Sequence, residues 1–192
     1  SDYIFSSLKS DSSIWIAQRE GRAKDGFDKT EPAIVKMFYI NGKKKKIAFS
    51  DYIKQLNIVP VAISYEFDAC DKQKAKELVD KAETGEYKKS EFEDIESIVR
   101  GIIGQKGHVH VAFGKVLDAS FEDAEQVARA IDKQIYQNYY LHPSNYIAAK
   151  QNAESISDVD KQAFDKRLQS IKPELQETVL KMYANPVNNS IV

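Results

Sequence analysis

The chain has 192 residues, 30% of them charged, and a formal net charge of −1 at pH 7. This length suffices for one domain with a sizeable core, and the near balance of charge excludes a global attraction to nucleic acid or acidic membranes. A single cysteine, Cys70, excludes an internal disulfide and a cysteine-based metal site. No apolar run reaches the ~18 to 20 residues that a spanning helix needs. We expect a cytoplasmic protein, with peripheral contact at the inner membrane face left open, that is a piece of something longer.

The stretch 13–30 changes character halfway along. Residues 13–18 are β-branched, aromatic and small, which predicts a short strand buried on both faces. The next eight residues contain three cations, two acids and two glycines, a composition typical of a loop. Open α/β sheets bind ligands in such loops, at the carboxyl ends of their strands.

This loop has the side chains of an oxyanion or phosphate clamp. Arginine presents a planar fork of donors to phosphate, lysine adds a point charge, and glycine lets backbone N–H groups approach an anion. An alternative stays open, namely a solvated charged turn with internal ion pairs. The candidate binding residues are Arg19, Glu20, Gly21, Arg22, Lys24 and Gly26.

Two helices and a second strand follow. Thr30 is the expected N-cap of a helix that begins near Pro32 and ends at residues 41–42. A second amphipathic helix is predicted over 47–56. Residues 57–68 are apolar on successive positions, which predicts a strand of a covered, largely parallel sheet. Pro60 is the anomaly within it, because proline removes a ladder donor.

The remaining chain is mostly helical. Residues 108–114 alternate as a strand that places His108 and His110 on one face, and we expect no metal there because no third ligand lies nearby. Tyr136, Tyr139 and Tyr140 are either a ligand wall or helix-end packing. Helices are predicted over 71–84, from a capping box at 90–93 through 103, over 121–140 as the longest, and over about 158–171 and 173–183.

These elements predict an α/β fold with a mostly parallel sheet covered by helices. Residues 1–150 would form the α/β part, and 151–192 a helical C-terminal extension packed on it.

Three segments resemble the glycerolipid acyltransferases, the family of glycerol-3-phosphate and 1-acylglycerol-3-phosphate acyltransferases. Residues 14–26 resemble the family's strand and Glu-Gly-(Thr or Gly)-Arg-Ser type loop, with Arg22 on the family arginine and the pair Glu20-Gly21 displaced by one residue. Residues 58–63, with Val59-Pro60-Val61, resemble its Val-Pro-Val strand. Residues 113–115, Phe-Gly-Lys, resemble the end of a late strand, which places them in the same sheet.

The resemblance implies roles for these residues. Arg22 and Lys24, with Arg19 nearby, would bind the phosphate of a glycerol-phosphate-type acceptor. Gly21 and Gly26 would shape the loop, Glu20 would orient it, and Pro60 would shape the sheet. Acyl-CoA or acyl carrier protein would be the acyl donor, with no cofactor, metal or nucleic acid. The acceptor, the acyl chain and the oligomeric state stay open.

The family's catalytic His-x4-Asp block is absent. The residues five positions after His108, His110 and His142 are Phe113, Lys115 and Ile147. In the family that block precedes the arginine loop, and its histidine is the general base. We therefore expect the C-terminal portion of an acyltransferase, inactive by itself.

A non-catalytic α/β interaction module with a solvated charged loop is the alternative. Nucleotide binding is disfavoured because both Gly-x4-Gly-Lys-(Ser/Thr) and Gly-x-Gly-x-x-Gly are absent.

Overall fold

The computed structural model describes residues 2–18 and 24–189. In these ranges the chain is mostly helical, with 58% helix, nine α-helices and a two-stranded antiparallel sheet. The predicted α/β fold with a mostly parallel sheet covered by helices is therefore wrong. The helices are α1 Asp2–Lys9, α2 Pro32–Lys44, α3 Phe49–Gln55, α4 Asp71–Thr84, α5 Glu93–Ile103, α6 Ala124–Asn138, α7 Pro143–Ala149, α8 Asp158–Gln169 and α9 Pro173–Asn189.

The predicted first strand, residues 13–18, is also wrong. These residues have no regular secondary structure, and Trp15 is 67% exposed. The carbonyl of Gln18 accepts a hydrogen bond from Glu31 N–H at 2.9 Å, but no strand pairs with the segment in the described chain. β-type residues alone do not make a strand, because a strand needs a neighbour for its backbone groups.

The sheet pairs β1, Val61–Tyr65, with β2, Val109–Phe113. At one end Gly114 N–H donates to the Pro60 carbonyl at 2.8 Å, and at the other Glu66 N–H donates to the His108 carbonyl at 2.9 Å. Pro60 thus directly precedes β1, where its missing donor does no harm. The alternating pattern predicted for 108–114 is confirmed in β2.

One face of this sheet is exposed. On β1 the buried residues are Ala62 and Ser64, and exposure alternates along both strands. The expected cover on both faces is therefore wrong. The exposed face is apolar and carries Val61, Ile63, Tyr65, Val109, Val111 and Phe113.

The chain divides into two compact units, the first formed by the described part of Ser1–Arg22 with Asp28–Ala62 and Val111–Tyr139. It contains α1, α2, α3 and α6. Asp123 caps α6 by accepting from Gln126 N–H at 2.7 Å, and the apolar side chains of the helix that face the core are buried. The core consists of Phe5, Val35, Tyr52, Ile53, Leu56, Leu117, Ala124, Val127 and Ile131.

Some helix ends differ from the prediction. The N-cap of α2 is Glu31, with Pro32 first in the helix. Thr30 is instead buried, and its N–H donates to Asp132 Oδ1 at 2.8 Å. The longest described helix is α9, with 17 residues against 15 in α6, and it continues through Pro186.

The second unit comprises the described parts of Ala23–Phe27, Ile63–His110 and Tyr140–Val192, and contains α4, α5, α7, α8 and α9. Ser157 caps the N-terminus of α8, and its hydroxyl accepts from Asp160 N–H at 3.2 Å. The core consists of Phe67, Ala75, Phe164, Ile171, Leu175, Val179, Met182 and Tyr183.

A buried ion pair joins three helices of this unit. Arg167 on α8 donates from Nε to Asp71 Oδ2 at 2.8 Å and from Nη2 to Asp71 Oδ1 at 2.9 Å. Tyr183 on α9 donates its hydroxyl to Asp71 Oδ2 at 3.1 Å. Burial and the negative charge of Asp71 raise the pKa of Tyr183, so its proton stays in place. We call these residues the Asp71–Arg167–Tyr183 network.

Within the described ranges, no helix has the length and apolar character to cross a bilayer.

The network predicts a large effect of Arg167→Met. Asp71 is fully buried, and removing its cation leaves a buried charge without its pair, at a cost of about 3 to 5 kcal/mol. We expect the urea midpoint of unfolding to fall accordingly. Lys166→Met, an exposed position on the same helix, is the control and should change it little. Equal effects of both substitutions would contradict the assignment.

Candidate functional site

The predicted anion clamp is described only in part. Arg19, Glu20, Gly21 and Arg22 lie outside the described residues, as does Ala23. Lys24 and Gly26 lie inside them, in the second unit.

Lys24 forms an ion pair with Glu77 of α4. Lys81, one turn further along α4, binds the same carboxylate at 2.8 Å. Glu77 is nearly buried, and the Lys24 side chain is 27% exposed. Glu77, which the sequence analysis did not include in the site, therefore pairs with Lys24, the one cation of the predicted clamp that lies within the described residues.

The charge of Glu77 is stabilised by its two lysines. Burial acts to raise the pKa of this carboxyl, but the hydrogen bonds and positive charges of Lys24 and Lys81 outweigh it. The result is a pKa below the ordinary value of 4.5. Glu77 is therefore ionised at neutral pH, and an incoming anion would compete with it for Lys24.

Helix α9 positions the segment that carries Lys24. Gly26 has φ +81°, and a Cβ at this position would lie 2.5 Å from the Met182 carbonyl oxygen. The Asn185 side chain donates to the Asp25 carbonyl at 2.5 Å. Glycine is thus required at 26 by backbone conformation and by close packing, whatever it contributes to a ligand.

The described charges around Lys24 balance. Lys24 and Lys81 share the Glu77 carboxylate, and Asp25 directly follows Lys24. A phosphate bound here would therefore depend on the arginines of the same segment. The ion pair between Lys24 and Glu77 also fits the alternative interpretation of the loop as a charged turn with ion pairs. Both interpretations of the loop remain predictions.

Pro60 occupies a structural position in the first unit. It is buried, and its carbonyl accepts from Gly114 N–H. Val59-Pro60-Val61 and Phe113-Gly114-Lys115, two of the segments that carry the acyltransferase resemblance, are therefore joined by this hydrogen bond and by the strands they adjoin.

The three histidines gather around one tyrosine in the second unit. The Tyr140 ring lies 5.9 Å from His108, 5.1 Å from His110 and 4.8 Å from His142, between ring centroids. His142 is buried, and its Nε2 lies 3.3 Å from the Ser64 hydroxyl. In the described ranges, no three His, Cys, Asp or Glu side chains are grouped so as to hold a metal ion.

Burial lowers the pKa of His142, and the nearby His108 and His110 act in the same direction. The contact with Ser64 and the charge of Glu66 act against this but do not reverse it. His142 is therefore neutral at neutral pH. Ser64 and His142 are both enclosed, so the pair has no substrate access and its role is packing.

A cavity of about 350 Å³ lies beside the end of α4. Two of its lysines make it a second place where an anion could bind, but Lys76 is already paired with Asp80 at 2.8 Å. It is lined by Lys76, Asp80, Thr84, Glu86, Tyr87 and Lys88.

The burial of Arg167 could have been inferred from its position in the sequence. Arg167 follows Phe164 by three residues and precedes Leu168, so it lies on the apolar stripe of α8. A charge on such a stripe indicates a buried partner. Glu77 had no comparable signal, because it sits among other charges of α4.

Glu77→Gln should destabilise the protein. Replacing the carboxylate weakens two charge-assisted hydrogen bonds from partly exposed lysines, worth roughly 1 to 2 kcal/mol together. Because the folded-state pKa of Glu77 is lowered, this contribution is present above about pH 4.5 and is lost as the pH falls below it. Unfolding curves of wild type and variant should converge once the pH has fallen below the lowered pKa of Glu77. Glu83→Gln, exposed on the same helix, is the control, and a gap that persists in acid would contradict the assignment.

His142→Asn should weaken the dependence of stability on pH. A lowered pKa in the folded state means that the unfolded chain binds the proton more readily, so wild-type stability falls as the pH drops below about 6.5. Asparagine is a good N-cap for α7 and does not titrate. The loss of Tm between pH 7.5 and 5.5 should shrink in this variant and persist in His110→Asn. An unchanged pH dependence in His142→Asn would contradict the claim.

Comparison with known proteins returned nothing: no family model, curated protein or solved structure matches the chain. The acyltransferase resemblance therefore rests on the residues quoted above, and the family stays a prediction.

Proposed function

We propose that the chain binds the phosphate of a glycerol-phosphate-type acyl acceptor through residues 19–26, as part of an O-acyltransferase that uses acyl-CoA or acyl carrier protein. The observation that carries the proposal is the joining of two resembling segments in one sheet, through Gly114 N–H and the Pro60 carbonyl. The resemblance places these segments in the same sheet, and they lie more than fifty residues apart in the chain. Their strands are antiparallel, whereas the resemblance implied a mostly parallel sheet, so the support is limited to their presence in one sheet.

Among the described residues, Lys24 is the one that would contact the acceptor phosphate. Its side chain stays partly exposed while its ammonium group is paired with Glu77. Phosphate carries more charge than one carboxylate, so it can draw Lys24 from Glu77 while Lys81 continues to neutralise that acid. Arg22 would supply the planar, two-donor contact that a lysine cannot make.

Proton transfer is not part of this chain's contribution. None of its histidines has an aspartate five positions later, and His142, the most buried of them, faces Ser64. The chain would hold the acceptor, and the His-x4-Asp block of the resembling family would activate its hydroxyl.

A second candidate function is that of an interaction module. The observation that favours it is the outward apolar face of α5, where Ile102 is 72% and Ile103 76% exposed. Large exposed apolar patches mark sites where another molecule binds.

Titration with glycerol 3-phosphate tests the first proposal. Arg22→Ala should weaken binding about 10- to 100-fold, because a charge-assisted phosphate contact is worth ~1.5 to 3 kcal/mol. Arg129→Ala, which removes an exposed arginine from α6, is the matched control and should leave the affinity unchanged. Glycerol alone should not bind. Equal affinities of wild type and Arg22→Ala would refute the clamp.

A further inference from the structure

Helix α5 packs on its own unit through small residues. Ser97 is buried, and its carbonyl accepts a hydrogen bond from Cys70 Sγ at 3.6 Å. Gly104, which caps the helix, lies so close to Ala69 that an added Cβ would be 2.6 Å from the Ala69 Cβ. These two contacts lie on the face opposite the large apolar side chains, which therefore do not take part in them. Gly101 lies on the same face, but an added Cβ there would meet no atom within 4 Å, so the contact is confined to Ser97 and Gly104.

The large apolar side chains of α5 form one stripe on the opposite side. At about 100° per residue, positions three and four apart lie on one helix face. All five aliphatic residues of the stripe are exposed, although β-branched side chains are costly to leave in water. The stripe consists of Ile95, Ile98, Val99, Ile102 and Ile103, with Phe92 at its N-terminal end.

One border of the stripe carries opposite charges. Glu96 and Arg100 lie two residues before and two residues after Ile98. In an antiparallel helix pair with its two-fold axis near Ile98, Glu96 faces Arg100 of the second copy, and the reverse contact forms by symmetry. The same arrangement places the Ile95 end of each stripe against the Ile102 end of the other.

We propose that the α5 stripe binds a second copy of this chain, as an antiparallel, two-fold symmetric helix pair. The self-complementary order of Glu96 and Arg100 selects a copy of the chain over an unrelated helix. This inference names the partner for the second candidate function and does not depend on acceptor binding, which is tested separately.

A lipid surface fits α5 less well. Helices that lie on membranes usually carry lysine and arginine on their polar face. The first turn of α5 instead carries Glu93, Asp94 and Glu96, and its only cation is Arg100. Acids next to the stripe oppose contact with an anionic bilayer.

The pair should be weak. Eleven residues span about 16 Å, and a contact of this length buries less than the ~1,200 Å² of a stable interface. We therefore expect a dimer that dissociates on dilution, populated at about 100 µM and largely lost at about 1 µM.

Sedimentation velocity over this concentration range tests the proposal. Ile102→Asp should weaken dimerisation at least about 10-fold, because it places a charge in the apolar contact. Val159→Asp is the matched control, since Val159 is an equally exposed aliphatic residue, 74% exposed on α8 of the same unit. Both positions point to solvent, so thermal unfolding of the two variants should match that of wild type.

A charge exchange tests the antiparallel geometry. Glu96→Arg and Arg100→Glu should each weaken the dimer about 3- to 10-fold through like-charge contacts. Mixing the two variants, or combining both changes in one chain, should restore it. A wild type that stays monomeric at every concentration would overturn the proposal. So would a monomer that cosediments with phosphatidylglycerol vesicles and loses this binding in Ile102→Asp, because that places a membrane on the stripe.

Discussion

The arrangement of the second unit depends on one buried carboxylate. Asp71, at the first position of α4, receives both the guanidinium of Arg167 from α8 and the hydroxyl of Tyr183 from α9. A charge in this environment is tolerated only with such partners, so the network fixes how the three helices meet. Because α4 carries Glu77 and α9 carries the Met182 carbonyl and Asn185, the network also determines where Lys24 and Gly26 lie.

The described part of the candidate site is thus held in place by contacts within the fold. Lys24 is held by an acid of α4, and the backbone at residues 25–26 is held by α9. Neither contact needs a ligand. A phosphate bound by Lys24 would replace a carboxylate that is already present, so binding would proceed by exchange of partners and not by filling an empty position. Because Lys24 must give up Glu77, we expect it to contribute little to the free energy of phosphate binding. The arginines of the same segment should contribute more.

Helices were predicted more accurately from the sequence than the contacts that each element makes with its neighbours. The apolar periodicities of α4, α6, α8 and α9 correctly indicated helices. The sheet was wrong because strand-type residues such as Ile14 to Ile16 do not reveal whether another strand lies beside them. Helix α5 shows the same limit. Its amphipathic pattern was correct, but its small face, with Ser97 buried, packs inward, and the isoleucines face solvent. Of the clamp, only the surroundings of Lys24 and Gly26 are described, and Glu77 was not foreseen because nothing local distinguishes it from its charged neighbours.

Mapping of backbone amide shifts tests the central claim, that residues 19–26 bind the acceptor phosphate. On addition of glycerol 3-phosphate, we expect saturable shifts at Gly21, Lys24 and Gly26, with smaller shifts at Glu77 as its ion pair with Lys24 is exchanged. Glycerol without phosphate should produce none. Shifts confined to the cavity lined by Lys76, Tyr87 and Lys88, or no saturable shifts in residues 19–26, would contradict the account.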